Sequence, residues 1–233
     1  MQALRLVLWI GGPPGTGKTT IATRIARRHG LRWYGADTRT WEHRDRALQA
    51  GNPAACRWET MTPQERWVQS TPSQMLDMSL HAERGPMVLD DLRAIPDSPL
   101  VVAEGSTLPA QAVSSGLADR SRAVWLIPTD DFQRALLGAR DTPPGPTALY
   151  LLLRDRIARE ASQHGAPTLS LDGSLDLEAT VAAVEELFAA ALAEGPCAET
   201  RAERRALLRE ANEAIVAQVR GYYARWPVVR RGA

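Results

Sequence analysis

The sequence has very little lysine, little cysteine and no long apolar run. Lys18 is the only lysine among 28 basic residues. Cys56 and Cys197 lie far apart, with no C-x-x-C spacing and no clustered histidines, which argues against a disulfide framework or a zinc site. No segment approaches the roughly 20 apolar residues that span a bilayer. A net charge of +1 does not favour a nucleic acid or a membrane surface as partner. We therefore expect a cytoplasmic protein that binds a small molecule.

The apolar stretch near the N-terminus is interpreted as a core strand. Its sequence, LRLVLWI at residues 4–10, reaches glycines at once and has neither a basic leader nor a small-residue cleavage site. Its aliphatic and β-branched composition is typical of a buried parallel strand.

Five apolar segments alternate with helical patterns along the first 195 residues. Strands are expected at 4–10, 31–37, 98–106, 122–128 and in APTLSLDGS at 166–174; helices are expected at about 19–29, 38–50, 63–84, 147–164 and 177–195. This alternation predicts a three-layer α/β domain with a five-stranded parallel sheet over residues 1–195.

Residues 196–233 are predicted to form a C-terminal helical extension. The segment carries eight arginines and four glutamates, and its apolar positions recur at helical spacing. Its apolar face could pack against the domain or against a second subunit, so a homodimer through this helix stays open.

The turn after the first strand carries a phosphate-binding motif. It matches G-x-x-x-x-G-K-[ST] between a predicted strand and a predicted helix. Glycines let successive N–H groups converge, and the helix N-terminus adds positive charge at the same point. Lys18 would bridge the β- and γ-phosphates, and the Thr19 hydroxyl would join a Mg²⁺ shell. The expected nucleotide-binding residues here are Gly12, Pro13, Pro14, Gly15, Thr16, Gly17, Lys18, Thr19 and Thr20. ATP is the expected donor, and GTP is not excluded.

Two other classes of nucleotide-binding protein fit less well. A guanine-specific switch needs N-K-x-D, which a chain with its single lysine at position 18 does not contain. Asp90 and Asp91 look like the paired acids of AAA-type motors. Their context, PMVLDDLRAIPD, is instead typical of a helix end, so we expect two solvated aspartates.

The order of features resembles the small-molecule branch of P-loop kinases, which includes nucleoside monophosphate kinases, shikimate and gluconate kinases and chloramphenicol phosphotransferase. The resemblance covers about residues 4–190. It rests on the phosphate turn, on Asp37 past the second strand, on Glu104-Gly105-Ser106 at the third, and on an arginine-bearing segment before LLLRDRIAREA. It implies a P-loop fold with an acceptor-binding helical cap at about 38–97 and a lid at about 130–146.

The resemblance also implies roles for two carboxylates. Asp37 would orient the acceptor hydroxyl and accept its proton; the alternative is a helix N-cap. Glu104 would organise Mg²⁺ through water or contact the acceptor; the alternative is a surface acid at a strand end.

The same resemblance places cations and a turn around the nucleotide. Arg140, immediately before the breaker cluster DTPPGP, is the preferred arginine finger, and Arg134 lies in the same lid. Arg154 would contact a phosphate or the substrate, and Gly173 in the LDGS turn would pass the base. Any of these arginines could instead be a solvated side chain.

The predicted cap carries the candidate acceptor residues. Arg39 and Trp41 would face the acceptor, and the cap tryptophans could form a ring-stacking pocket or pack the cap onto the sheet. His43 and His81 are expected to be polar groups of the surface or core, not ligands. The expected activity is ATP- and Mg²⁺-dependent phosphorylation of a hydroxyl on a small metabolite or natural product, including an antibiotic. The alternatives are a nucleotide or nucleotide-sugar kinase resembling zeta toxins, or an NTP-gated regulatory ATPase.

Overall fold

The computed structural model describes residues 4–225, which contain one parallel β-sheet. Its strands, in chain order, are β1 (Val7–Gly11), β2 (Arg32–Gly35), β3 (Val101–Gly105), β4 (Ala123–Pro128) and β5 (Thr168–Leu171). Their order across the sheet is β2-β3-β1-β4-β5, and each neighbouring pair is parallel. The predicted five-stranded parallel sheet is confirmed, and with helices on both faces the chain has a three-layer, P-loop-like α/β fold.

The helices lie in the connections between the strands and in the chain that follows β5. They are α1 (Lys18–His29), α2 (Thr40–Gln49), α3 (Pro53–Thr60), α4 (Pro72–Met78), α5 (His81–Ala94), α6 (Gln111–Ser114), α7 (Asp130–Gly138), α8 (Pro144–Gln163), α9 (Leu177–Leu187), α10 (Ala189–Glu194) and α11 (Arg201–Arg225). Short 3-10 turns cover Ala36–Arg39 and Arg120–Arg122, and a π-helical turn covers Glu65–Gln69.

Alternate residues of the central strands supply two separate hydrophobic cores. On β1, Val7 and Trp9 face one core with Leu153 of α8, while Leu8 and Ile10 face the other. The second core is closed by α1 and α9. Because side chains alternate along a strand, a short buried strand can serve both helical layers.

The cap differs from its predicted outline. The sequence predicted one helix from residue 63 to about Arg84, whereas the structure has the π-helical turn, α4 and α5 there. Leu80, with a left-handed φ of 56°, separates α4 from α5, and α5 then continues through Pro86 to Ala94. The predicted helix end was wrong because Gly85-Pro86 looks like a breaker but lies within a helix whose tertiary contacts outweigh it.

The prediction that Asp90 and Asp91 form a solvated helix end holds only for Asp90. The Asp91 side chain is 7% exposed and accepts hydrogen bonds from Tyr34 Oη and His43 Nε2, each at 2.8 Å. Several hydrogen bonds hold the pKa of the Asp91 carboxyl below its ordinary value even though burial acts to raise it. His43 is fully buried, so it is a polar group of the core, as expected.

The C-terminal extension starts as extended chain and only then becomes helical. Leu100 N donates to Pro196 O at 2.8 Å, and Ala198 N donates to Gly30 O at 2.7 Å, so these residues are held against the domain. The helix α11 therefore begins at Arg201, later than predicted, and the predicted helix beyond residue 225 lies outside the described residues.

One face of α11 packs on β2, on the Ala36–Arg39 turn and on α2. Trp41 Nε1 donates to Gln218 O at 3.0 Å, and Arg32 pairs with Glu210 at 3.0 Å. The extension therefore uses one face on its own domain, which was one of the two expected arrangements. A dimer through its other face stays a prediction.

The described part of the chain, residues 4–225, holds no helix with both the length and the apolarity needed to cross a membrane.

Packing of α11 depends on a glycine. A Cβ on Gly221 would lie 2.4 Å from Trp41 Cδ1, so Gly221→Ala should displace the indole and weaken its bond to Gln218. We expect a loss of about 1–3 kcal/mol in unfolding free energy, measured by denaturant titration. Gly138→Ala is the matched control, because a Cβ on Gly138 at the end of α7 meets nothing within 4 Å. Equal effects of the two changes would contradict the packing described here.

Candidate functional site

The glycine-rich turn between β1 and α1 forms a tight backbone cradle. Gly12, Gly15 and Gly17 have φ of 136°, 94° and 79°, a region that favours glycine. A Cβ on Gly12 would lie 2.4 Å from the carbonyl oxygen of Leu126 on β4. These glycines therefore meet backbone requirements, as the motif predicted.

The Lys18 ammonium points back into this turn. Its Nζ donates to Pro13 O at 2.6 Å and to Thr16 Oγ1 at 3.3 Å, and Thr16 Oγ1 donates to Pro13 O at 3.1 Å. Burial lowers the pKa of Lys18, while Glu104 and Asp37 oppose that shift. In the described structure no side chain caps the N-terminus of α1, and its first turn carries no acid. The turn thus combines a desolvated cation with a helix N-terminus, an arrangement that suits a phosphate.

Glu104 lies deep at the carboxyl end of β3, between β1 and β2. It pairs in register with Ile10 and Gly35, and only 2% of it is exposed. Thr19 Oγ1 donates to Glu104 Oε1 at 3.0 Å. Burial, reinforced by the charge of Asp37, raises the pKa of Glu104 to about 7, while Lys18 and Thr19 act in the opposite direction. The surface-acid alternative for Glu104 is therefore wrong.

Asp37 lies in the 3-10 turn that follows β2. The Thr40 hydroxyl donates to the main-chain oxygen of Asp37 at 2.7 Å. Within residues 4–225, the Asp37 carboxylate forms no hydrogen bond or ion pair, and the helix that follows has no side-chain cap. The N-cap alternative for Asp37 is therefore wrong. Its carboxylate is exposed to the cavity described next.

One cavity of about 540 Å³ brings most of the predicted groups together. Lys18 and Thr19 line it beside Asp37 and Glu104, and Arg140 lines the same cavity. The remaining lining residues are Pro14, Gly15, Gly17, Thr20, Leu137, Asp141, Thr142, Pro143, Pro146 and Tyr150. Three carboxylates, two cations and an aromatic ring thus share a space large enough for a small ligand.

Of the three arginines predicted near the nucleotide, Arg134, Arg140 and Arg154, only Arg140 lines the cavity of the described structure. Arg140 is exposed and forms no ion pair with the described residues, so its guanidinium is available to a ligand. Arg134 binds Asp130 on its own helix, and Arg154 binds Asp130 and Asp155 at 2.6 and 2.8 Å. Neither lies in the cavity lining of the described structure, and neither does Gly173, which has a left-handed φ of 91° and abuts Phe132.

The predicted acceptor residues of the cap are engaged elsewhere in the described structure. Arg39 pairs with Glu42 at 3.0 Å and with Asp91 at 3.4 Å. Trp41 packs against α11, and Trp58 is stacked between two arginines, Arg44 at 4.1 Å and Arg66 at 3.5 Å from the ring centroid. Both tryptophans therefore serve packing, as the second expectation had it, but their contacts are with α11 and within the cap and not with the sheet.

Several residues near this cavity were not predicted from the sequence. Gln133 on α7 is fully buried and its Nε2 donates to Pro14 O at 3.1 Å and to Tyr150 O at 3.3 Å. It thereby ties the phosphate turn to α7 and α8. Asp141, with a left-handed φ of 50°, turns the chain just after Arg140. The only available signal was its place in the breaker cluster.

The site offers few side-chain ligands for a metal, and those few are oxygens of the kind that Mg²⁺ prefers. Residues 4–225 contain no group of three or more His, Cys, Asp or Glu side chains that could hold a metal by themselves. Thr19 and Glu104 supply two adjacent oxygen ligands, and Mg²⁺ commonly uses one or two protein oxygens together with waters and substrate phosphates.

The sequence matches no protein-family model, and no curated protein matches it. The crystal structure of TT1252 from Thermus thermophilus superposes on it with a TM-score of 0.45 and 20% identity, over 80% of this chain and 98% of that chain. That likeness is too distant to transfer the role of any residue.

The raised pKa of Glu104 predicts a pH dependence of stability. A folded-state pKa of about 7 against an ordinary 4.5 means that the folded protein keeps a proton that the unfolded chain releases. Raising the pH from 4.5 to 7 should therefore weaken the folded state, by as much as about 3 kcal/mol.

Glu104→Gln removes this titration. The unfolding free energy of the variant, relative to wild type, should rise between pH 5 and pH 7 and then level off, as measured by denaturant titration. Glu194→Gln, at an exposed glutamate of α10, is the control. Parallel pH curves for wild type and Glu104→Gln would contradict the assignment.

Proposed function

We propose that this protein is an ATP- and Mg²⁺-dependent phosphotransferase that moves the γ-phosphate to a hydroxyl group of a small molecule. The observation that carries the proposal is the position of Asp37: its unpaired carboxylate lines the same cavity as Lys18 and the glycine turn. A simple nucleotide-binding switch has no need of a free carboxylate beside the phosphate cradle.

The donor would bind with its β- and γ-phosphates in the glycine turn. Convergent main-chain N–H groups and the N-terminus of α1 suit the negative charge, and Lys18 would exchange its bonds to Pro13 and Thr16 for phosphate oxygens. Thr19 and Glu104 would hold the Mg²⁺, which supplies charge neutralisation at the phosphates when bound. ATP is the proposed donor because it is the more common one; the fold does not distinguish it from GTP.

The acceptor would place its hydroxyl between Asp37 and the γ-phosphate. Asp37 orients that hydroxyl and accepts its proton as the oxygen attacks the γ-phosphorus, and the bond from that phosphorus to the β–γ bridging oxygen breaks to release ADP. Arg140, which lines the same cavity, stabilises the charge that spreads over the transferring group. Leu137, Pro143 and Tyr150 make the lining partly apolar, which helps to exclude water during transfer.

The class of acceptor is proposed from the size and lining of the same cavity. A metabolite or natural product, including an antibiotic, fits a cavity of about 540 Å³ with one aromatic wall. A nucleotide or nucleotide sugar is the alternative acceptor. Since Trp41 and Trp58 are used for packing, ring recognition in the cavity would fall to Tyr150. Nucleic acids and membranes are not proposed as partners.

The first test combines an acceptor screen with substitution of Asp37. Hydroxylated metabolites, nucleotides and antibiotics are screened for stimulated ADP release. Asp37→Asn should lower the stimulated rate at least about 100-fold and leave the Kd for Mg·ATP within about twofold, because Asp37 faces the acceptor.

Lys18→Ala should weaken Mg·ATP binding itself. Asp131→Asn, at an exposed position of α7, is the control. Unchanged stimulated turnover in Asp37→Asn would refute Asp37 as the base.

The second test compares two lid arginines. Arg140→Ala should reduce transfer about 100-fold or more, since a charge-stabilising group at the transferring phosphate is lost. Arg134→Ala should stay within about threefold of wild type, because Arg134 is exposed and paired with Asp130. Steady-state kinetics of both variants with Mg·ATP decide the matter, and the reverse order of effects would overturn the role of Arg140.

A further inference from the structure

A buried positive charge lies beneath the turn that carries Asp37. Arg84 of α5 is 6% exposed, and its Nη2 donates to Ala36 O at 2.7 Å. Ala36 immediately precedes Asp37, so this bond holds the peptide group from which the Asp37 side chain extends. A guanidinium is costly to bury, and its presence at this place calls for a specific role.

The orientation of Arg84 is fixed by a second set of bonds. Its Nε lies 3.3 Å from His43 Nδ1, and a guanidinium can only donate. His43 must therefore accept at Nδ1 and donate from Nε2 to Asp91 Oδ2, at 2.8 Å. Tyr34 donates to the same carboxylate oxygen. A chain of hydrogen bonds thus runs from Asp91 through His43 and Arg84 to the main chain at Ala36.

Electrostatics link the same guanidinium to Asp37. Burial lowers the pKa of Arg84, and the charges of Asp37 and Asp91 oppose that shift, with Asp37 contributing more than Asp91. The turn also contacts α11, and a Cβ on Gly105 would lie 2.5 Å from Ala36 Cβ. The turn therefore has packing contacts from β3 and α11, while Arg84 supplies a directional, charged bond.

We propose that Arg84 is a positioning residue for Asp37, holding the Ala36 carbonyl so that the Asp37 carboxylate stays directed into the cavity, and that His43 and Asp91 keep the Arg84 guanidinium in place. The mechanistic part of this inference rests on the proposed phosphotransferase function. The structural part, the ordering of the turn, stands independently of it.

The structural part is tested by hydrogen–deuterium exchange on the full chain. Arg84→Met should raise exchange of the amides at residues 36–40 at least about tenfold, and Arg84→Lys, which keeps the charge, should give a smaller increase. Arg93→Met is the matched control: it lies on the same helix, is exposed, and pairs with Asp90 at 3.1 Å. If Arg84→Met fails to fold, Arg84→Lys carries the test. Unchanged exchange at 36–40 in a folded Arg84 variant overturns the inference.

The mechanistic part is tested by a double-mutant cycle with Mg·ATP and water as acceptor, measured as ADP release. Arg84→Met should lower kcat about tenfold with the KM for Mg·ATP within twofold, and should have no further effect in the Asp37→Asn background. Additive effects would overturn the inference and leave the proposed function intact. If Asp37→Asn alone changes neither hydrolysis nor transfer, the proposed function fails, and the exchange experiment still decides whether Arg84 orders the turn.

Discussion

The register of the three strands β2, β3 and β1 determines where the site lies. Gly35, Glu104 and Ile10 stand side by side, so the chain leaves β2 towards Asp37 and leaves β1 towards the glycine turn at one edge of the sheet. Parallel strands end at a common edge, where ligands bind in open α/β folds. A shift of one residue in β3 would turn Glu104 to the opposite face of the sheet and separate it from Thr19. The cavity and its charges therefore depend on this pairing.

The buried charged side chains around the site partly offset one another's loss of solvation. Lys18 and Glu104 each lose solvation, and each offsets part of the cost of the other. Arg84, further inside, is likewise opposed by Asp37 and Asp91. Asp37 interacts with all three buried groups while its own carboxylate remains exposed. An incoming phosphate would place its negative charge beside Lys18 and Arg140, which line the cavity together with Asp37, Glu104 and Asp141.

Contiguous and strand-end features could be predicted from the sequence, whereas contacts between distant segments could not. The glycine turn was predictable because its residues are consecutive, and Asp37 and Glu104 because they follow apolar strands. Arg140 was preferred over Arg134 from its place before the breaker cluster, but the pairing of Arg134 with Asp130 could not be predicted from the sequence. Arg84 is one of many arginines, and its partners at His43 and Ala36 lie more than 40 residues away along the chain. The expectation that Trp41 faces the acceptor was wrong because Trp41 packs against α11.

The C-terminal helix α11 is one of the elements that contact the turn carrying Asp37. The turn contacts α11 and accepts a hydrogen bond from Arg84 at Ala36 O, so a helix whose described residues, 201–225, line no part of the cavity still packs on the element that carries Asp37. Packing alone limits translation of a short 3-10 turn, but it directs a side chain weakly, because apolar contacts have no preferred angle. A hydrogen bond to a carbonyl does have one. The packing of α11 and the hydrogen bond from Arg84 therefore contribute differently to the position of Asp37. The helix keeps the turn close to the sheet, and Arg84 sets the rotation of the peptide before Asp37.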